Sequence, residues 1–140
     1  MTAQDLMTSR PITVIPQATL AEVWDIMREL DVRHVPVVRN GALVGIVSDR
    51  DLGQLNIPSI LAAEGADALR QELATPVVNV MSSEVIFVEP ETEVAEVVRI
   101  LIEQKVGALP VVQPDTREVV GIVSYIDVLR ALQDLLEEEE

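Results

Sequence analysis

The sequence contains no cysteine. Disulfides, thiolate metal sites and cysteine nucleophiles are thereby excluded, and the composition suits a reducing interior. Histidine occurs once, as His34, so no multi-histidine metal site can form. Aromatic side chains are nearly missing, with only Trp24, Phe87 and Tyr125 present. The core must therefore be aliphatic, and Val, Leu, Ile and Ala dominate a chain that is 49% hydrophobic. Such a core, rich in β-branched residues, suits a buried sheet. Positive charge is also scarce: ten Lys and Arg stand against 24 Asp and Glu, a net charge of −14. A nucleic-acid binder needs a basic face to replace counterions, so no nucleic acid is expected as a partner. Acidic membrane surfaces are disfavoured for the same reason. No apolar run approaches the roughly 18 residues of a spanning helix, and no signal-peptide pattern opens the chain. The expectation is a cytoplasmic protein that does not engage a membrane.

What the sequence does have is repetition. Met7–Val38 aligns with Met81–Val112 at a constant offset of 74 residues, and 14 of the 32 positions are identical. The offset then becomes 76, and Val44-Gly45-Ile46-Val47-Ser48-x-x-Asp51 matches Val120-Gly121-Ile122-Val123-Ser124-x-x-Asp127. A fixed-period repeat sets the architecture before any other signal. With two copies only, it favours two small subdomains on a pseudo-two-fold axis over a solenoid. A unit of about 55 residues is marginal alone, which argues for a shared core.

Each repeat reads as strand, helix, strand, strand, helix. Ile12–Ile15 reads as a short strand ended by Pro16. Leu20, Val23, Trp24, Met27 and Leu30 follow at helical spacing, opened by the capping box Thr19-x-x-Glu22. This spacing puts Trp24 in a core or dimer interface. In the second repeat Val94, Val97, Val98 and Leu101 make the same stripe, starting at Thr92 or Glu93. His34–Val38 and Leu43–Val47 are strands joined at Asn40-Gly41, a strong hairpin signal. The second repeat has a longer turn containing Pro114-Asp115. Ser48 caps a short helix with Leu52 and Leu55, and Ser124 caps a longer one through Leu129, Leu132 and Leu136. The strand–helix–strand portion calls for a parallel crossover. The expected boundaries are repeat 1 at 1–56, a linker with helical character at 57–76, repeat 2 at 77–136 and an acidic tail at 137–140. In the linker, Pro58 and Ser59 open a helix, Leu69 and Leu73 give it an apolar edge, Gly65 breaks it and Pro76 ends it. The tail Glu137–Glu140 reads as a solvated, frayed end.

The segments Arg33-His34-Val35-Pro36-Val37-Val38 and Val106-Gly107-Ala108-Leu109-Pro110-Val111-Val112, each followed by Gly-Ile-Val-Ser-x-x-Asp, resemble tandem cystathionine-β-synthase (CBS) domains, a pair called a Bateman module. The resemblance covers essentially the whole chain. It implies a mixed α/β (α+β) fold of two β-α-β-β-α repeats packed with pseudo-two-fold symmetry, leaving two clefts between them. In the family these clefts commonly bind adenosine compounds such as AMP, ADP, ATP or S-adenosylmethionine, while some members bind other ligands or none.

Physical chemistry reads the Ser-x-x-Asp element in two ways. A helix start offers free N–H groups to a phosphate, and Asp51 can accept hydrogen bonds from vicinal ribose hydroxyls. The same spacing is also an ordinary capping box that needs no ligand. The resemblance implies that one cleft takes Ser48 and Asp51 with Ile86, Val106, Gly107 and Ala108 around the base, and Arg33 and His34 near phosphate. The other takes Ser124 and Asp127 with Ile12, Val32, Arg33 and His34 near the base. Its own phosphate positions, Gly107 and Ala108, carry no charge. Arg33 also reads as a solvated strand-edge charge, His34 as an interfacial imidazole with one hydrogen bond, and Arg50 as a phosphate candidate or an exposed helix residue. Asp49-Arg50-Asp51 offers only oxygen ligands, so no protein-only metal site is expected.

The expected function is a non-catalytic regulatory module, not an enzyme. It requires no cofactor and senses an adenosine nucleotide (AMP, ADP or ATP) as a regulatory ligand. Its expected partners are a second copy in a homodimer, the adenosine-type small molecule and an effector protein whose identity the sequence does not carry. The alternative is a structural CBS pair with empty clefts that acts by dimerisation or partner binding. An enzyme is the third reading, and no base–nucleophile pair is visible for it.

Overall fold

Short capping and turn sequences set the elements. The computed structural model describes residues 1–53 and 57–139. Thr19 Oγ1 accepts from Glu22 N–H at 3.2 Å and Glu22 Oε2 accepts from Thr19 N–H at 3.1 Å, which starts helix α2 (Leu20–Leu30). Before it come the single turn α1 (Ala3–Leu6) and the short strand β1 (Thr8–Ser9). Helix α2 ends at Asp31 in the left-handed region (φ 52°), and its repeat partner Lys105 ends α6 (Val94–Gln104) the same way (φ 55°). The strands β2 (His34–Arg39) and β3 (Ala42–Ser48) form a hairpin. Asn40 and Gly41, at φ 54° and 83°, supply the two positive-φ residues that a two-residue turn of this hand needs. Helix α3 (Asp49–Gly53) follows Ser48. In the second repeat β4 (Ala108–Val112) and β5 (Val119–Ser124) pair antiparallel, and α7 (Tyr125–Glu138) follows Ser124. The linker holds α4 (Ile57–Glu64) and α5 (Ala66–Leu73), separated at Gly65 (φ 91°). A 3-10 turn at Val77–Asn79 then enters repeat 2.

Several expectations change. The segment Ile12–Ile15 pairs only at Val14, which bridges Val37 in parallel: Val14 N–H donates to Pro36 O at 3.1 Å and Val38 N–H to Val14 O at 2.8 Å. Pro11 and Pro16 bracket the segment and remove ladder donors. Val88 makes the same parallel bridge to Val111. Helix α2 buries Leu20, Val23 and Met27, whereas Trp24 is 37% exposed, so Trp24 is not a core residue. It stands at the edge of the buried stripe. The second linker helix ends at Leu73, ahead of Pro76. Helix α7 continues to Glu138, so Glu137 and Glu138 are helical. Leu55 and Glu140 lie outside the described residues.

Two compact units emerge. One comprises Met1–Pro11, Gly41–Leu43 and Ile86–Glu140, the other Ile12–Asn40 and Val44–Val85. Within the first, β1 adds to β5 with Thr8 opposite Ile122. Within the second, Ser82 bridges Ile46 through bonds of 2.9 and 3.0 Å. The leading segment of each repeat thus completes the sheet of the unit built on the other repeat. Each unit has its own aliphatic core, and these correspond position by position. Val14, Val23, Met27, Val35, Val37, Val47 and Val77 in one match Val88, Val97, Leu101, Leu109, Val111, Val123 and Ala3 in the other. No helix among the described residues is long and apolar enough to cross a membrane.

Candidate functional site

Strand β3 ends at Ser48, and the chain turns at once into α3. Ser48 N–H donates to Asp51 Oδ2 at 2.8 Å, and Asp51 N–H donates to Ser48 Oγ at 3.2 Å. The capping box is therefore real, and it uses one carboxylate oxygen. The other oxygen of half-buried Asp51 has no partner among the described residues, so it remains available to a hydroxyl donor. Asp49 N–H donates to Arg33 O at 2.9 Å, which ties the start of α3 to the residue before β2. One backbone bond thus gathers Arg33, His34, Ser48, Asp49, Arg50 and Asp51 at one end of the sheet.

His34 is half-buried at the start of β2. Burial, the largest influence, pushes its imidazole below the ordinary value of 6.5, while Asp49 and Asp51 pull it up and Arg33 and Arg50 push it down. All four charges therefore lie within electrostatic reach of the ring. Arg33 and Arg50 are exposed. Among the described residues the ion pairs are Arg28–Asp25, Arg70–Asp67 and Arg99 with Glu96 and Glu103. Neither Arg33 nor Arg50 is in one, so both guanidiniums can meet an anion. Asp49 is the member of this group that the sequence reading weighed only as a metal ligand. No group of three or more His, Cys, Asp or Glu among the described residues could hold a metal ion.

The other unit repeats the scaffold with different chemistry. Ser124 N–H donates to Asp127 Oδ2 at 2.8 Å, and Asp127 N–H donates to Ser124 Oγ at 3.3 Å. Ser124 Oγ also donates to Asp127 Oδ2 at 3.1 Å. Tyr125 N–H donates to Gly107 O at 3.2 Å, the counterpart of the Asp49–Arg33 bond. Half-buried Gly107 and buried Ala108 stand where the first repeat has Arg33 and His34, and Tyr125 and Ile126 replace Asp49 and Arg50. Of the remaining candidates, Ile86 and Val106 pack against this unit's core. Ile12, in the unit of Asp51, is 42% exposed.

Residues 3–53 and 77–134 match the family model of the CBS domain. The CBS domain-containing protein YhcV of Bacillus subtilis (strain 168) is 32% identical over 124 residues, covering 89% of this chain and 80% of that protein. The chain spans less than half the length of three further curated relatives. Among solved structures, CBSX2 in complex with AMP gives a TM-score of 0.79 at 28% identity, covering 96% of this chain and 97% of that one. The CBS domain pair of protein MJ0100, in complex with 5′-methylthioadenosine and S-adenosyl-L-methionine, gives 0.78 at 25% identity over 96% and 97%. This chain belongs to the CBS domain family and carries the domain in two matched segments.

Proposed function

We propose that the chain is a non-catalytic regulatory module that senses a phosphate-bearing adenosine ligand of the AMP, ADP or ATP class. The observation that carries this reading is the group at Asp51: a carboxylate oxygen that has no partner among the described residues, beside His34 and beside Arg33 and Arg50, which form no ion pairs among those residues. A ribose hydroxyl suits the carboxylate, and a phosphate suits the cations. The chain as a whole repels anions at −14, so a phosphate needs this local concentration of positive charge. Ser124 and Asp127 are proposed as a second and weaker ribose position. AMP held by CBSX2 supports the ligand class. The pair of MJ0100 holds adenosine compounds without phosphate, so S-adenosylmethionine is the competing ligand. A thermal-shift screen with AMP, ADP, ATP and S-adenosylmethionine tests the reading. A ligand at 100 times its Kd raises stability by about 2.7 kcal/mol; no shift with any of the nucleotides contradicts it.

A second element of the proposal is a homodimer whose ligand-dependent pose a partner protein reads. Tyr125, Leu129, Leu132 and Leu136 recur along one face of α7 and are 47–55% exposed. Trp24 and Leu30 on α2 are exposed as well. Apolar stripes of this kind mark contact surfaces. A ligand shifts such an assembly only through unequal affinity for its states. Light scattering at micromolar concentration gives twice the mass of the chain if this is right and the mass of one chain if it is wrong.

A further inference from the structure

Two methionines occupy equivalent and unusual places. Met7 N–H donates to Ala3 O and Met81 N–H to Val77 O, each at 2.9 Å. Each residue therefore closes one turn of helix on a fully buried anchor, Ala3 or Val77. Each side chain then lies across a strand glycine. A Cβ added to Gly121 would fall on the sulfur of Met7 and 2.8 Å from its Cγ, and one added to Gly45 would fall on the sulfur of Met81 and 3.0 Å from its Cγ and Cε. A side chain at either glycine would have to displace the methionine that lies over it. The next residues, Thr8 and Ser82, pair with Ile122 and Ile46. Methionine packing therefore fastens the leading segment of each repeat to the sheet that it joins.

We propose that Met7 and Met81 are oxidation sites: thioether clamps that peroxide-class oxidants convert to sulfoxides, loosening the leading segment of each repeat. Both residues are half-buried and so remain reachable from solvent. Met7 also lines an open depression of about 310 Å³, together with Gln4, Glu89 and Glu91. In the reaction the sulfur donates a lone pair to a peroxide oxygen. The S–O bond forms as the O–O bond breaks, a proton moves to the departing oxygen, and hydrogen peroxide leaves as water. The sulfur loses two electrons and the peroxide gains them. The product is polar and pyramidal, on a sulfur that lies directly over a strand glycine. Gly45 and Gly121 lie three residues before Ser48 and Ser124, so the loosened strands are those that deliver the two serine–aspartate pairs.

The chain carries its own controls. Met1 is 61% exposed and free of this packing, whereas Met27 is 8% exposed in the core beneath α2. The full chain is treated with hydrogen peroxide, each methionine is followed by peptide mass spectrometry, and the melting temperature is measured on the same samples. The expected order of oxidation is Met1, then Met7 and Met81, then Met27. The melting temperature should hold while Met1 oxidises. It should fall by about 5 °C or more as Met7 and Met81 follow, and recover on treatment with methionine sulfoxide reductases. A Met7→Leu, Met81→Leu variant, a volume-conserving change, should keep its melting temperature through the same treatment. If that variant does not fold, the wild-type time course still decides. Met7 and Met81 oxidising no faster than Met27, sulfoxide at both with an unchanged melting temperature, or an equal loss in the leucine variant would each overturn the proposal. None of these readouts depends on whether the protein binds a nucleotide.

Discussion

The group at Asp51 and the group at Asp127 are the same scaffold fitted with different chemistry. In both, serine and aspartate cap each other, and the residue after the serine bonds to a carbonyl at the start of the preceding strand. The four positions around that frame share nothing. Arg33, His34, Asp49 and Arg50 surround Asp51, whereas Gly107, Ala108, Tyr125 and Ile126 surround Asp127. On the proposed function, the frame would meet a ribose and the surrounding four would decide whether a phosphate is accommodated. The second group instead leads into the exposed apolar face of α7, so one copy of the domain carries charge at this frame and the other does not.

The largest test of this contrast is at the carboxylates. Asp51→Ala should weaken AMP binding by about 1.5–3 kcal/mol, the range for hydrogen bonds to a charged group, while Asp127→Ala weakens it less. Isothermal titration calorimetry separates them, and equal losses would erase the contrast. The scaffold itself should respond equally in both units. Gly45→Ala and Gly121→Ala each overpack a methionine and should cost about 1–3 kcal/mol in urea unfolding; a large cost in one unit only would show that the frames differ too. The caps come next. Ser48→Ala and Ser124→Ala should each lower stability by about 1 kcal/mol, and a cap worth nothing at either serine would mean that it serves the ligand alone.

The smallest expected effect is the pH dependence of His34, which has no counterpart at Ala108. Burial lowers its folded-state pKa, so the unfolded chain binds the proton more readily. The stability that neutral His34 contributes is present above its ordinary value of 6.5 and is lost as pH falls from there through the lowered value. A bound phosphate reverses the preference, because it favours the imidazolium. Ligand-free stability should therefore fall below about pH 6.5 while AMP affinity rises. His34→Gln should flatten both trends, and unchanged trends in that variant would assign them to other groups.

What was legible in the sequence, and what was not, follows the range of each interaction. Thr19–Glu22, Asn40-Gly41 and the two serine–aspartate caps are complete within a few residues, so their residue types announce them. The core was legible through the repeat, since each aliphatic position occurs twice. The strand at Ile12–Ile15 was over-read because its β-branched residues speak louder than Pro11 and Pro16, which withdraw the donors. For Trp24, helical spacing identifies a stripe but not its edge, so it leaves core and dimer interface open, and the exposure of Trp24 removes only the core. The methionine clamps were visible as repeated identities at Met7 and Met81, yet nothing local pairs them with Gly121 and Gly45. That match joins distant parts of the chain and exists only once the sheets form. At the Asp51 group, the repeat pattern puts Arg33, His34, Arg50 and Asp51 forward as candidates, but nothing in it announces the influence of Asp49 on the imidazole.

The central claim is that the charged group in the first repeat selects a phosphate, and its most direct test compares AMP with adenosine by calorimetry. The wild type should bind AMP at least tenfold more tightly, a difference of about 1.4 kcal/mol. An Arg33→Ala, His34→Gln variant should lose that preference while keeping its affinity for adenosine. Equal affinities for the two ligands in the wild type, or a preference that survives in the variant, would contradict the account.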